Sequence, residues 1–261
     1  MKQTLKNWFA ALLLAVPMSA AVASGGGHYE KVDIDLRDQV SLQHGAQIFT
    51  NYCLSCHSAS GMRFNRLKDI GLTEDEIKKN LMFTTDNVGD VMVAAMDPKD
   101  ASKWLGAPPP DLTLIARSKG ADYLYAYMRG FYKDPTRPNG WNNVVFDKVG
   151  MPHPLWEQQG VQAVELDAKG RPVMVKDEHG ELKPKLYWES TGAHSRRLPN
   201  GKVVQTEYDA YVRDLVNYLV YMGEPAQLQR KRTGYIVLMF LLAVMLPLAY
   251  FLKKEYWKDV H

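Results

Sequence analysis

The pentapeptide Cys53-Leu54-Ser55-Cys56-His57 constrains this chain more than any other stretch. Two thiols three positions apart, followed directly by a histidine, are what covalent attachment of a c-type haem requires. On one turn of backbone the sulfurs reach two vinyl groups of a porphyrin edge, and the adjacent imidazole falls under the iron as proximal ligand. A C-x-x-C pair also serves thioredoxin-like redox chemistry or half of a zinc site. Zinc needs two further ligands, and Cys53 and Cys56 are the only cysteines of the chain. A thiol oxidoreductase places its pair at the N-terminus of a helix, where the thiol pKa falls. Here Leu42, Ala46, Phe49 and Cys53 instead follow a helical spacing into the motif. The sequence therefore reads as carrying one haem c, covalently attached.

The two ends of the chain supply its address. Lys2 and Lys6, the apolar run from Trp8 to Val16, and the small residues Ala21-Val22-Ala23 form a secretory signal over residues 1–23, with an uncleaved anchor as the alternative. Export suits the motif, because an unprotected thiol pair outside the cytoplasm would otherwise oxidise. Tyr235 to Leu252 is an uncharged run of 18 residues. As a helix such a run rises about 27 Å, against a hydrocarbon core of roughly 30 Å. Pro247 inside it predicts a kink against neighbouring helices. Arg230, Lys231 and Arg232 balance Lys253, Lys254 and Lys258, so basic residues do not orient the span. A cleaved leader does: residues 24–229 form a periplasmic domain, 230–252 a basic flank and transmembrane anchor in the inner membrane, and 253–261 a cytoplasmic tail. Tyr235, Tyr250, Tyr256 and Trp257 suit the two membrane interfaces.

The formal charge of +3 hides an acidic external domain. Loss of Lys2 and Lys6 leaves +1, and residues 230–261 carry six basic and two acidic side chains, so the exported part holds −3. That charge points to a basic partner and away from nucleic acid.

The fold class is mainly α. Residues 24–40 read as an extended strap, and residues 41–53 as a helix capped by Ser41, with Gly45 allowing close approach of a second helix. That partner is the segment from Thr206, where Thr206 and Asp209 suggest a capping box and Tyr208, Tyr211, Val212, Leu215, Leu219 and Met222 recur at helical spacing up to Gly223 and Pro225. Thr73 and Glu76 form another capping box, opening a helix to about Met82, and a further helix covers Ala121 to Gly130. Glu157 to Gln205, punctuated by Lys169-Gly170, His179-Gly180 and Pro199-Asn200-Gly201, reads as an inserted hairpin region.

An electron-carrying haem usually takes a sixth ligand, and a thioether raises its potential. Of twelve methionines, Met82, Met92, Met96 and Met128 fall in helix-like segments where core filling is the common role. Met151 lies in the irregular, proline-stiffened loop Val149-Gly150-Met151-Pro152-His153-Pro154 and is the preferred candidate; His153 and Met62 stay open as rivals. His28, His44, His179, His194 and His261 read as surface histidines.

Cys53-Leu54-Ser55-Cys56-His57, Gly106-Ala107-Pro108-Pro109-Pro110-Asp111-Leu112, Gly150-Met151-Pro152 and the C-terminal anchor occur in an order that resembles the cytochrome c1 family, bacterial type, the haem subunits of ubiquinol:cytochrome c oxidoreductase. The resemblance covers nearly the whole mature chain. It implies a cytochrome c-type domain with inserted loops, thioether bonds at Cys53 and Cys56, and axial ligation by His57 and Met151. It further implies pocket walls at Pro109 and Pro110, a cation near a propionate at Arg117 or Lys119, and approach of Tyr123 to the haem. The loop after Glu157 varies among such proteins and receives no role. The implied function is outer-sphere transfer of one electron from a Rieske iron-sulfur subunit to a cytochrome c, with the anchor against a cytochrome b subunit and no substrate chemistry of its own. An independent membrane-anchored cytochrome that shuttles electrons to an oxidase or reductase is the alternative, and a haem enzyme or gas sensor with an open iron is a third reading.

Overall fold

The computed structural model describes residues 29–177 and 180–258. The leader, together with His28, His179 and His261, lies outside them.

Helix α1 (Gln39–Ile48) runs without a break into a π-helical turn, Phe49–Cys53, that delivers the first cysteine. The helix starts earlier than the sequence suggests. Asp38, not Ser41, is the cap: its carboxylate accepts the Ser41 N–H at 3.0 Å, where a negative charge also suits the helix dipole. Ser41 is inside the helix and buried, and its hydroxyl donates to Asp214 at 2.7 Å.

After the motif, β1 (Ala59–Arg63) pairs with β2 (Val91–Met92), and α2 (Glu74–Asn80) lies between them, opened by the Thr73/Glu76 capping box. Next come α3 (Pro98–Leu105), α4 (Ile115–Lys119) and α5 (Ala121–Arg129). A mixed four-stranded sheet then forms in the order β4-β3-β5-β8 from β3 (Phe131–Lys133), β4 (Trp141–Asn143), β5 (Gly160–Val164) and β8 (Leu186–Thr191), with the short α6 (Trp156–Gln159) leading into β5. The region after Glu157 carries hairpins as expected. They are β6 (Met174–Lys176) with β7 (Leu182–Pro184), and β9 (Arg196–Arg197) with β10 (Val203–Val204). Gly170, Gly180 and Gly201 take positive φ at their turns, a conformation costly for other residues.

Helix α7 (Thr206–Gly223) crosses α1 at Gly45 and completes the core with Tyr208, Val212, Leu215 and Tyr218. No side chain caps it, contrary to the predicted Thr206/Asp209 box. The Asp209 carboxylate is drawn instead to Arg129 Nε, 2.7 Å away, in an ion pair. Arg129 also meets Glu30, fastening the strap, whose Val32, Ile34 and Leu36 pack on the core.

Beyond Gly223 a continuous helix, Gln227–Tyr256, is long and apolar enough to cross a membrane, and none of its residues is buried by the domain. Its π turn at Leu241–Met245 lies just ahead of Pro247, where the lost N–H and the ring disturb regular α-helical bonding. At the joint, Glu224 accepts from Arg230 and lies 3.6 Å from Arg117.

Candidate haem site

The motif sits on one tight turn at the C-terminal end of its helix: the N–H groups of Cys56 and His57 both donate to the Cys53 carbonyl, at 3.1 and 2.8 Å. Helix C-termini disfavour thiolates. Burial, with a smaller contribution from neighbouring Cys56, pushes the Cys53 thiol up to about 12. The two thiols are not joined to each other. A buried thiol held protonated is a poor redox nucleophile. Among the described residues no three His, Cys, Asp or Glu side chains converge into a metal-binding group.

The segment Gly106–Leu112 is strapped along the motif. Leu112 N–H donates to Ser58 O at 2.8 Å, the Asp111 carboxylate accepts the Ser60 N–H at 2.8 Å, and Gly61 N–H reaches Thr113 Oγ1 at 3.0 Å. A Cβ at Gly61 would come within 2.6 Å of Thr113 Cγ2, so this close lacing needs glycine. The strap places Pro110 O 2.8 Å from His57 Nδ1. A carbonyl only accepts, so Nδ1 carries the proton and the Nε2 lone pair is free, the tautomer that ligates a metal. Burial is the main influence on this imidazole and holds its pKa below the ordinary histidine value, against the pull of Pro110 and Asp111. Pro109 lies half-buried beside Pro110.

The Met151 loop is built on the β3–β4 turn by three asparagines. Asn139 Nδ2 donates to Val149 O and Gly150 O at 3.3 and 3.0 Å, Asn142 Oδ1 accepts from Lys148 N–H at 2.8 Å, and Asn143 Oδ1 accepts from Val145 N–H at 2.8 Å. Asn143 Nδ2 also donates to Tyr127 O at 2.8 Å, tying the loop to α5. Gly150 abuts the end of α3, just ahead of the strap: a Cβ there would lie 3.1 Å from Leu105 O. The continuous stretch Leu105–Leu112, from the end of α3 through the strap, therefore borders both His57 and the Met151 loop. Met151 itself is partly buried against the core, and its Sδ accepts from the Tyr127 hydroxyl at 3.6 Å.

His153, the rival candidate, is held by the protein on both ring nitrogens. Its Nδ1 accepts the Leu155 N–H at 3.3 Å, its Nε2 faces Gln159 Oε1 at 2.7 Å, and its ring stacks on Phe131 at 4.7 Å. Both nitrogens are engaged. Burial drives its pKa down to about 4, from 6.5. The folded value lies below the unfolded one, so the unfolded chain binds more protons across this window and stability falls as pH drops from 6.5 towards 4. Such a shift is worth on the order of 3 kcal/mol. His153→Phe, which keeps the stack, is expected to flatten that part of the pH–stability curve in denaturant titrations; an unchanged slope would refute the assignment. Met62 is a buried residue of β1 and fills the core. Of the methionines expected in helices, only Met128 is helical; Met92 lies in β2, Met82 lies in an irregular segment just past α2, and so does Met96, whose N–H donates to Ser55 O at 3.2 Å and laces the chain onto the motif.

Tyr123 stacks on Tyr127, with ring centroids 6.0 Å apart, and meets Tyr29 edge-on at 5.5 Å, while Lys119 Nζ lies over its ring. Arg117 is turned towards Glu224. His44 and His194 are more integrated than surface histidines: both pack on Tyr211, and His44 Nδ1 is 2.8 Å from Asp214. Tyr127 and the three asparagines are the site residues that sequence reading missed. Dense turn-forming asparagines ahead of Gly150-Met151-Pro152 were the available signal.

The residues fit a covalent haem: two thiols on one turn, an imidazole with Nε2 free, a thioether with a lone pair to spare, and partly buried Leu112, Ile115 and Tyr127 against the core. The family model of the Cytochrome C1 family matches residues 31–204 and 200–260. Cytochrome c1 of Allochromatium vinosum is 46% identical over 97% of this chain and 98% of its own. A protein named ammonia monooxygenase gamma subunit, from Nitrosomonas europaea, is also 46% identical, over 96% of this chain and 97% of its own. Cytochrome c1 of Rhodospirillum rubrum is 26% identical over 96% of this chain and 95% of its own. From motif, fold and family alike, the chain belongs to the cytochrome c1 family as a bacterial-type, c-type cytochrome of the bc1 complex, with a single covalently attached haem c.

Proposed function

We propose that this cytochrome accepts one electron at a time from the Rieske iron-sulfur subunit and passes it to a cytochrome c, with Cys53 and Cys56 bonded to the haem and His57 and Met151 as axial ligands. The haem supplies a reversible one-electron couple. The chain's own residues set the conditions. Pro110 O fixes the His57 tautomer, the asparagine-built loop presents the Met151 sulfur, and Pro109 and Pro110 wall the pocket. Arg117, which lies 3.6 Å from Glu224, would supply the cation for a haem propionate, and Tyr123 backs the Met151 side through Tyr127. The domain faces the periplasm, the helix Gln227–Tyr256 crosses the inner membrane beside cytochrome b, and the tail ends in the cytoplasm.

The observation that supports this reading is one continuous stretch, from the end of α3 into the strap, that borders both proposed ligand sides: Pro110 O lies at His57, and Leu105 O lies where a Cβ on Gly150 would meet it. Ligands held from one stretch keep their relation to each other. In detergent-solubilised membranes the haem-stained protein is expected to co-elute with cytochrome b and the Rieske subunit, and ubiquinol is expected to reduce its haem only while the Rieske subunit is present. Reduction without that subunit, or co-elution with a monooxygenase and neither partner, would sink the proposal.

A further inference from the structure

Tyr127 is held from several sides. Tyr123 stacks on its ring at an interplanar angle of 15°, Phe131 meets its edge with centroids 5.2 Å apart, and Asn143 fixes its backbone carbonyl at 2.8 Å. A phenol oxygen lies in the plane of its ring, so fixing the ring fixes where the hydroxyl stands. It stands 3.6 Å from Met151 Sδ, within reach for a hydrogen bond to sulfur, and the three asparagines hold that sulfur's loop.

We infer that Tyr127 is a positioning residue for the sixth ligand, donating a hydrogen bond to Met151 Sδ that selects which sulfur lone pair faces the iron and raises the haem potential. A thioether sulfur has two lone pairs. With the hydroxyl on one, the other is left to the metal, so both interactions coexist. A donor on the sulfur withdraws electron density from it. That weakens its donation to ferric iron more than to ferrous iron, which shifts the couple towards the reduced form. The ring ladder Tyr29–Tyr123–Tyr127 carries the N-terminal strap up to the same sulfur, so the strap helps hold this geometry.

The inference rests on Met151 ligation, and the test separates the two. In the covalently loaded full-length protein, Tyr127→Phe keeps the ring and removes the hydroxyl. It is expected to retain the sulfur-to-iron charge-transfer band at a shifted wavelength and to lower the potential, equivalent to about a two- to tenfold change in the one-electron equilibrium constant, at 59 mV per tenfold. Tyr125→Phe removes a hydroxyl from the same helix, where the ring faces Arg129, and is expected to leave band and potential unchanged. A Tyr127→Phe protein with wild-type band and potential overturns the inference, as does an equal fall in Tyr125→Phe. A Met151→Leu protein that keeps the charge-transfer band overturns the ligation itself. Should Tyr127→Phe mature poorly, Tyr127→His, which restores a donor on a different ring, is expected to recover part of the potential, and a value no higher than that of Tyr127→Leu counts against the hydrogen bond.

Discussion

Met151→Leu is expected to keep the haem covalently bound, abolish the sulfur-to-iron charge-transfer band, open the reduced iron to carbon monoxide, and lower the potential. The fall should be on the order of 0.1–0.3 V, given that axial ligands move haem potentials over roughly 0.8 V. Leucine matches methionine closely in volume, so the loop should keep its shape; swaps of this kind usually cost less than about 1.5 kcal/mol. The loop's bonds to Asn139 and Asn142 are made by its backbone and survive the change. The effect is therefore chemical rather than structural. The measurement is a redox titration beside absorption spectra with and without carbon monoxide. Unchanged spectra and potential would move ligation elsewhere, and His153, with both nitrogens engaged, would need the Gln159 and Leu155 contacts broken first.

Gly45→Ala is expected to be strongly destabilising. The added Cβ would lie 2.1 Å from Asp214 O and 2.6 Å from Tyr218 Cβ, atoms of or next to the backbone that no rotamer change can remove. The helices α1 and α7 must then part. Their separation strains the buried contacts around the crossing, in which Ser41 donates to Asp214 at 2.7 Å and accepts from Asn217 at 3.0 Å. Overpacking costs typically 1–3 kcal/mol, and an unyielding site lies at or above the top of that range, so about 3 kcal/mol is expected. For a domain of this size that lowers Tm by about 6–12 °C. Thermal unfolding of the detergent-purified holoprotein, followed by tyrosine fluorescence, checks it. A Tm within about 2 °C of wild type would mean that the two helices slide freely, contrary to the tight crossing described.

Much of this molecule is written locally, and that part was readable. The haem motif needs only adjacent residues. The long C-terminal apolar helix needs only an uninterrupted apolar run, and the turns at Gly170, Gly180 and Gly201 need only residues tolerant of positive φ. The inward stripe of α7 follows its own periodicity. What stayed hidden depends on partners distant in sequence. Ser41 looks like a helix cap until Asp214, 173 residues away, claims its hydroxyl. Asp209 looks like half of a capping box until Arg129 is placed beside it. Tyr127 reads as one aromatic of an amphipathic helix, and only the fold brings its hydroxyl to a sulfur 24 positions later. His153 could not be dismissed from sequence, because its neighbours there are prolines and its hydrogen-bond partners are set by α6.

The asparagine scaffold under residues 145–150 has a consequence for speed. Each time iron gains or loses an electron, its surroundings must readjust, and the energy of that readjustment slows the transfer. With Met151 as ligand, the sulfur sits on a loop whose backbone is already tied at Val145, Lys148, Val149 and Gly150. Little is left to rearrange beyond bond lengths and nearby solvent, so the same geometry serves both charges, in the way preorganised dipoles spare an enzyme the work of turning them.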